Sequence, residues 1–218
     1  MTFQPKIAPL GDSALLVQLG DEIDITVNRY VHNLAALIAA SSRDGIIETI
    51  PAYRTLLIHY DPLLLNYSEI HDWVRRKLDQ IQNTNTGKPR QLDVPVRYGG
   101  AYGIDLQFVA DYHHLQVEDV IRIHCEKTYT VYMMGFTPGF PYMGKLDDAI
   151  VTPRLETPRT LVPAGTVAIA GSQAGIYPID SPGGWRLIGY TALQLFDPIS
   201  ESPFFFSPGD EVRFVVEK

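Results

Sequence analysis

The pattern of apolar residues changes part-way along the chain, and this change points to two domains of different class. The first part places apolar residues at helical spacing between short β-rich runs. Beyond Tyr129, short β-rich runs alternate with Gly and Pro, as in TVAIA, GIYPI, WRLIGYTALQLF and EVRFVVEK. The length of 218 residues is enough for one large domain or two small ones. We therefore expect an α+β chain whose two halves fold differently.

The first 81 residues predict an N-terminal α/β domain. Its β-rich runs are SALLVQLG, IIETI and YRTLLIHY, and amphipathic segments follow the first and the last of them. Ser68 is the expected N-cap of the second helix. The order β-α-β-β-α fits a ferredoxin-like sandwich, which LDVPVRY at residues 92–98 could close as a final strand.

Residues 82–91, QNTNTGKPRQ, are polar and contain Gly and Pro, so they predict an interdomain linker. Residues 92–218 then form the second domain. Two short helices are expected around 105–112 and 117–126, and the later β-rich runs predict a closed, mostly antiparallel β-barrel. The long connection over 135–163 is rich in Gly and Pro, and a connection of that length usually has a function.

The stretch GFTPGFPYMGKL, Gly135 to Leu146, contains the spacing glycine, four residues, glycine, lysine. A phosphate-binding loop needs a Ser or Thr hydroxyl after the lysine and backbone N–H groups aimed at the phosphate. Leu146 has no hydroxyl, and Pro141 has no N–H. We therefore interpret the stretch as a loop with another purpose.

The charge of −7 and the pI near 5.3 disfavour nucleic acid or an anionic membrane as a partner. No apolar run is long enough to span a bilayer, and MTFQPKIAPLGD lacks the pattern of a signal peptide. We expect a cytoplasmic protein with no membrane segment. The lone Cys125 cannot form an internal disulfide, which agrees with a reducing compartment.

The Gly- and Pro-rich clusters of the second half allow two interpretations. They either turn barrel strands or, with a row of aromatic residues beside them, shape an apolar pocket. Arg154 and Arg159 each follow a proline, and they either clamp a carboxylate or phosphate or belong to a solvated loop neutralised by Glu156. Arg186, next to Trp185, is a third cationic candidate.

Candidates for covalent or metal chemistry are weak. Cys125 and His124 are adjacent on a predicted helix, where side chains project about 100° apart, so they do not form a nucleophile–base pair. Ser172 and Ser181 lack a nearby histidine, and no GxSxG motif is present. We predict no metal site, because no cysteine or histidine cluster has ligand spacing.

The run GFTPGFPYMGKL, with TPRLETPRTLVPAGTVAIAGSQAGIYPIDSPGGWRLIGYT and FSPGDEVRFV after it, resembles the allophanate hydrolase subunit 1 family, also called the KipI or PxpB family. GDSALLVQLGD, YRTLLIHYDP and YGGAYGIDLQFVA extend the resemblance to nearly the full chain. The resemblance implies an N-terminal α/β domain followed by a cyclophilin-like β-barrel, in keeping with the two-part pattern.

The resemblance also implies a set of functions. The first is the B subunit of a bacterial ATP-dependent 5-oxoprolinase, which with subunits A and C, the latter a KipA-like protein, converts 5-oxo-L-proline to L-glutamate. The second is a KipI-type inhibitor whose partner is a sensor histidine kinase, and the third is a fused half of a urea carboxylase domain. A free-standing chain of this length matches the first two, and we rank the oxoprolinase role first.

If the first function applies, the isolated chain is expected to be inactive, ATP is used by the complex, and this chain binds no cofactor of its own. The expected site is a polar-rimmed apolar cleft that faces the C subunit and receives a carboxylate or an acyl phosphate. Its candidate residues are His124, Phe136, Phe140, Arg154, Arg159, Gln173, Trp185 and Arg186.

Overall fold

The computed structural model describes residues 4–81 and 89–217, and the chain divides into two compact units, Met1–Lys88 and Pro89–Lys218. Most of the predicted linker, 82–91, lies outside the described residues. Its described end runs directly into a strand that begins at Gln91. The barrel therefore starts one residue before the predicted boundary.

The first unit is a four-stranded antiparallel sheet with two helices. The strand order is β1-β2-β4-β3, and each neighbouring pair is antiparallel. The edge strand β1 supplies the fourth position, so the prediction that LDVPVRY closes this sheet is wrong. The ferredoxin-like class of this unit stays a prediction. The elements are β1 Lys6–Pro9, β2 Ala14–Gln18, α1 Ile25–Ala39, β3 Ile46–Pro51, β4 Thr55–Tyr60 and α2 Tyr67–Gln80.

Both helices of this unit begin at a polar cap. The Asp24 carboxylate accepts hydrogen bonds from two backbone amides at the start of α1. Asn66 caps α2, and the Glu69 side chain accepts from the Asn66 backbone in return, which forms a capping box. The predicted N-cap Ser68 is therefore wrong, because the helix begins before it and Ser68 lies inside the first turn.

The second unit is built around a closed barrel of seven strands among the described residues, in the order β10-β7-β6-β13-β5-β12-β9. Only β5 and β13 pair in parallel within it, so the predicted closed, mostly antiparallel barrel is confirmed. The elements are β5 Gln91–Tyr98, α3 Leu106–Tyr112, α4 Val117–Glu126, β6 Thr128–Met134, β7 Pro141–Gly144, β8 Arg159–Val162, β9 Thr166–Ala170, β10 Gln173–Ile176, β11 Ser181–Gly183, β12 Arg186–Tyr190 and β13 Glu211–Val216.

Strand β9 is buried on both faces, and this positions the candidate site. Val167 and Ile169 belong to the main core, to which all seven barrel strands contribute, so they point into the barrel. Ala168 and Ala170 point the other way into a separate apolar cluster. The two-stranded sheet of β8 and β11 contributes Val162 to that cluster. The barrel therefore carries a second packed layer on part of its outer face.

The glycine-rich stretch after β6 is not a phosphate cradle. Residues Pro141–Gly144 form β7, which pairs with β6 on one side and β10 on the other. Its backbone pairs with two neighbouring strands, and the next element is a single turn of 3-10 helix, Asp148–Ile150, instead of the helix that follows a phosphate-binding loop.

Among the described residues, no helix is both long enough and apolar enough to cross a bilayer.

Candidate functional site

Four aromatic side chains pack together on the outer face of the barrel, and we call them the aromatic cluster: Phe140, Tyr142, Tyr177 and Trp185. The Phe140 ring lies 4.9 Å from Tyr142, 5.2 Å from Tyr177 and 5.4 Å from Trp185, measured between ring centres. The last two contacts are edge-to-face, an arrangement that aromatic pairs favour. The cluster thus forms a packed apolar base that includes two of the predicted pocket residues, Phe140 and Trp185.

Hydrogen bonds fix the backbone on both sides of Trp185. The Leu155 N–H donates to the Gly184 carbonyl over 2.8 Å, and the Arg159 guanidinium donates to the Trp185 carbonyl over 3.3 Å. The Leu187 N–H donates to the Asp105 carboxylate over 2.7 Å. Trp185 is 5% exposed, so packing and hydrogen bonds within the protein fix its position.

Arg159 is committed to a buried carboxylate. Its guanidinium donates over 2.8 Å to Asp105, whose other oxygen accepts from Leu187. A buried carboxylate of this kind needs a charged partner, since an isolated charge in the interior is costly. The two arginines of the predicted clamp therefore have different roles. Arg159 anchors the start of β12, and the clamp of Arg154 with Arg159 does not describe the structure.

Arg154 lies over the aromatic cluster. Its guanidinium carbon is 5.7 Å from the ring centre of Trp185, within the range of a cation–π contact. The side chain is exposed, and it has no carboxylate partner within residues 4–81 and 89–217. Burial raises the pKa of Tyr142 and of Tyr177, and the Arg154 charge opposes this rise at both. The Arg154 charge therefore acts on the ionisation of both phenols.

Phe136 is displayed by a tight loop before β7. The Thr137 N–H donates to the Gly135 carbonyl, and two further backbone bonds join Gly135 to Phe140 and Phe140 to Thr137. Phe136 occupies the middle of this γ-turn with φ +66°, a conformation that is strained for a bulky residue. Its side chain is 62% exposed, and its ring centre is 5.7 Å from that of Phe140.

A cleft of about 330 Å³ lies beside this loop. Six of its seven lining residues belong to the chain from Met134 to Gly139, and one comes from the segment before β13. The lining residues are Met134, Gly135, Phe136, Thr137, Pro138, Gly139 and Phe204.

Gln173 and Arg186 approach the cluster differently. Gln173 is paired with Ala170 across β9 and β10, so its side chain shares the outer face with the cluster. The Arg186 guanidinium instead stacks on Phe108 of α3 at 3.8 Å, and its Nε donates to the Pro153 carbonyl. Arg186 thus contacts the chain next to Arg154 but directs its charge toward α3.

His124 does not belong to this site, and its assignment to the pocket is corrected. Its ring is fully buried, 4.4 Å from the Phe214 ring in the main core, and its Nδ1 lies 2.7 Å from the Tyr98 hydroxyl. Burial lowers the pKa of His124 to about 3. The helical register of α4 turns this side chain into the barrel, whereas the aromatic cluster is outside it.

Sequence reasoning missed Asp105 as a positioning residue. The only signal was its place at the start of a predicted helix, and its side chain makes no cap hydrogen bond there. Within the described parts of the chain, no three His, Cys, Asp or Glu side chains are close enough to hold a metal ion.

Comparison with known proteins gives consistent matches. The family model for the carboxyltransferase domain, subdomain C and D, matches residues 5–206. The 5-oxoprolinase B subunit of Bacillus subtilis is 41% identical, covering 99% of this chain and 94% of that protein. The protein of the same name from Haemophilus influenzae is 40% identical, covering 97% and 98%. A crystal structure of a conserved uncharacterized protein from Pyrococcus horikoshii is 47% identical over 98% of both chains, with a TM-score of 0.58.

Proposed function

We propose that this chain is the B subunit of an ATP-dependent 5-oxoprolinase. The chain belongs to the carboxyltransferase domain family, subdomain C and D. One observation carries the proposal: three bacterial proteins named as the B subunit of 5-oxoprolinase are 37% to 41% identical over nearly the full length of this chain. In this role the chain acts with subunits A and C to open the ring of 5-oxo-L-proline to L-glutamate, and the complex uses ATP.

The residues of the second unit support a binding role for this chain and not a covalent one. Burial holds His124 neutral near pH 7, and its Nδ1 is engaged with Tyr98. Burial also raises the pKa of the Cys125 thiol, which lies 3.4 Å from the same hydroxyl. A nucleophile must be activated by a free base or by a lowered pKa. The adjacent His124 and Cys125 have neither property.

The exposed loop around Phe136 supports contact with a partner protein of the complex. A strained conformation persists when the surrounding structure holds it, and such residues cluster at functional sites. Here three backbone hydrogen bonds hold the loop while the Phe136 ring remains mostly exposed beside a cleft. Exposed aromatic residues are favoured at the centres of protein interfaces.

Reconstitution tests the proposed role. The three subunits are purified separately and combined, and ATP-dependent formation of glutamate from 5-oxo-L-proline is measured. We expect activity only when all three are present. Glutamate formation by this chain alone would contradict the division of labour, and full activity of subunits A and C without it would contradict the role itself.

The rival hypothesis is an inhibitor of histidine kinase autophosphorylation. The names of the three bacterial relatives favour the enzyme. Genes for subunits A and C beside the gene for this chain would favour it further, whereas an adjacent kinase gene would favour the inhibitor. Direct inhibition of purified kinase autophosphorylation by this chain would support the rival.

A further inference from the structure

Arg154 is unusual among the arginines of the second unit, because its charge is not neutralised. The protein is acidic, with a net charge of −7, and seven arginines follow residue 89. Of these, Arg154 and Arg186 have no carboxylate partner among the described residues, and Arg186 is occupied by Phe108 and the Pro153 carbonyl. The arginines with a carboxylate partner are Arg90, Arg97, Arg122, Arg159 and Arg213.

Trp185 gives this guanidinium a fixed support. The indole is held from behind by Phe140 and from the side by Tyr142, whose ring centre is 5.9 Å away. The backbone on both sides of the indole is fixed by hydrogen bonds to Leu155 and Arg159. A guanidinium that lies over an aromatic ring keeps its donor edge available for a planar oxyanion.

The neighbouring polar groups complete a small recognition surface. Tyr142 is half-buried in the cluster, and its ring centre is 5.9 Å from that of Trp185, the ring over which Arg154 lies. Gln173 presents an amide on the same outer face of the barrel, opposite Ala170. A cation, a phenol and an amide around an aromatic base match a small ring acid that carries a carboxylate and an amide.

We propose that Arg154, Tyr142 and Gln173, arranged around Trp185, bind the carboxylate and the amide of a small ring acid. The identification of that acid as 5-oxo-L-proline rests on the proposed function, since its ring contains an amide and carries one carboxylate. The Arg154 guanidinium holds the carboxylate, and Trp185, which is 5% exposed, supports that guanidinium through its ring. Asp105 and Arg159 are positioning residues, because they act on the ligand only through Trp185.

Binding is measured by the fluorescence of Trp185 in the full chain. The chain has two tryptophans, so Trp73→Phe, in the first unit, leaves Trp185 as the single reporter. This protein is titrated with 5-oxo-L-proline, with 5-oxo-L-prolinamide, which lacks the carboxylate, and with inorganic phosphate. We expect the acid to bind at least about tenfold more tightly than either of the other two, as the loss of a charge-assisted hydrogen bond implies.

Two variants test the named residues. Arg154→Lys keeps the charge but loses the planar fork, and we expect binding of the acid to weaken about tenfold. The matched control is Arg213→Lys, in an exposed ion pair with Asp93, which should leave binding unchanged. Thermal melting of each variant checks that it is folded. Equal binding of the amide or of phosphate, or no effect of Arg154→Lys, would overturn the site.

The assembled enzyme separates this inference from the proposed function. In an active three-subunit complex, Arg154→Lys should raise the KM for 5-oxo-L-proline. An active complex whose KM and kcat are unchanged by this variant would overturn the site and leave the function intact. A complex with no activity would contradict the function, while the fluorescence titration would still decide whether the site binds a ring acid.

Discussion

Acidification should destabilise the second unit through His124. Burial lowers the pKa of this imidazole from 6.5 to about 3 in the folded protein, while the unfolded chain keeps the ordinary value. Between these two pKa values the unfolded state binds a proton that the folded state does not, so lower pH favours unfolding. The stability contributed by neutral His124 is therefore complete above pH 6.5 and is lost as the pH falls toward 3.

The size of the effect follows from the two pKa values. Going from pH 7 to pH 5 should remove about 2 kcal/mol of unfolding free energy through His124 alone. Other ionisable groups in contact with this part of the core do not add to it. Burial raises the pKa of Tyr98, Tyr129 and Cys125, so all three stay neutral over this pH range.

Urea unfolding of the protein and of His124→Phe, each at pH 7 and at pH 5, isolates the contribution. Both carry Trp73→Phe, so that Trp185 reports on the second unit. The phenyl ring can keep the stacking on Phe214, which lies 4.4 Å away. The loss between the two pH values should be about 2 kcal/mol smaller in the variant. Every other residue is the same in the two proteins, so equal losses would refute the argument.

Substitutions at three positions probe the site and its surroundings, each followed by urea or thermal unfolding. Asp105→Ala leaves Arg159 without its carboxylate and should cost about 3 kcal/mol, whereas Asp105→Asn, which keeps an acceptor, should cost less; no loss in Asp105→Ala would argue against the ion pair. Gly183→Ala places a methyl group against the buried Tyr177 ring and should cost about 1–3 kcal/mol; no loss would show that the cluster is loosely packed. Phe136→Gly relieves a positive φ and should stabilise the chain by about 1 kcal/mol while weakening the proposed three-subunit complex; a destabilised variant would show that the ring supports the fold.

Elements with a strong local pattern were predictable from the sequence. The spacing of Val31 and Leu34, and of Ile70 and Val74, marks one face of each helix, and all four side chains are buried as expected. Strand β1 was missed because KIAP is short and shows no alternation of apolar and polar residues. It is recognisable as a strand only through its pairing with β2 in the structure. Residues 92–98 were recognised as a strand, but their parallel partner β13 lies more than a hundred residues away, and local pattern carries no information about such a partner.

Some aromatic residues of the site could be named from the sequence, because each lies beside a recognisable turn motif. Trp185 and Phe140 follow Gly- and Pro-rich turns, and these turns bring them together on the outer face. Whether a helical side chain points into the barrel depends on how the helix is docked, and for this reason His124 was misplaced. Asp105 has no pattern at all, because a single buried acid is recognisable only after its partner is seen.

The two interpretations of the glycine clusters are not alternatives in this fold. A seven-stranded barrel has an interior that side chains fill, and here residues from every strand fill it, so a ligand must be recognised on the outside. An aromatic ring can pack directly against a strand only at a position that has no side chain. A Cβ at Gly175 would be 2.8 Å from the Phe140 ring, and one at Gly183 would clash with the Tyr177 ring. The glycines that shape the strands therefore also make room for the rings that support Trp185 and Arg154.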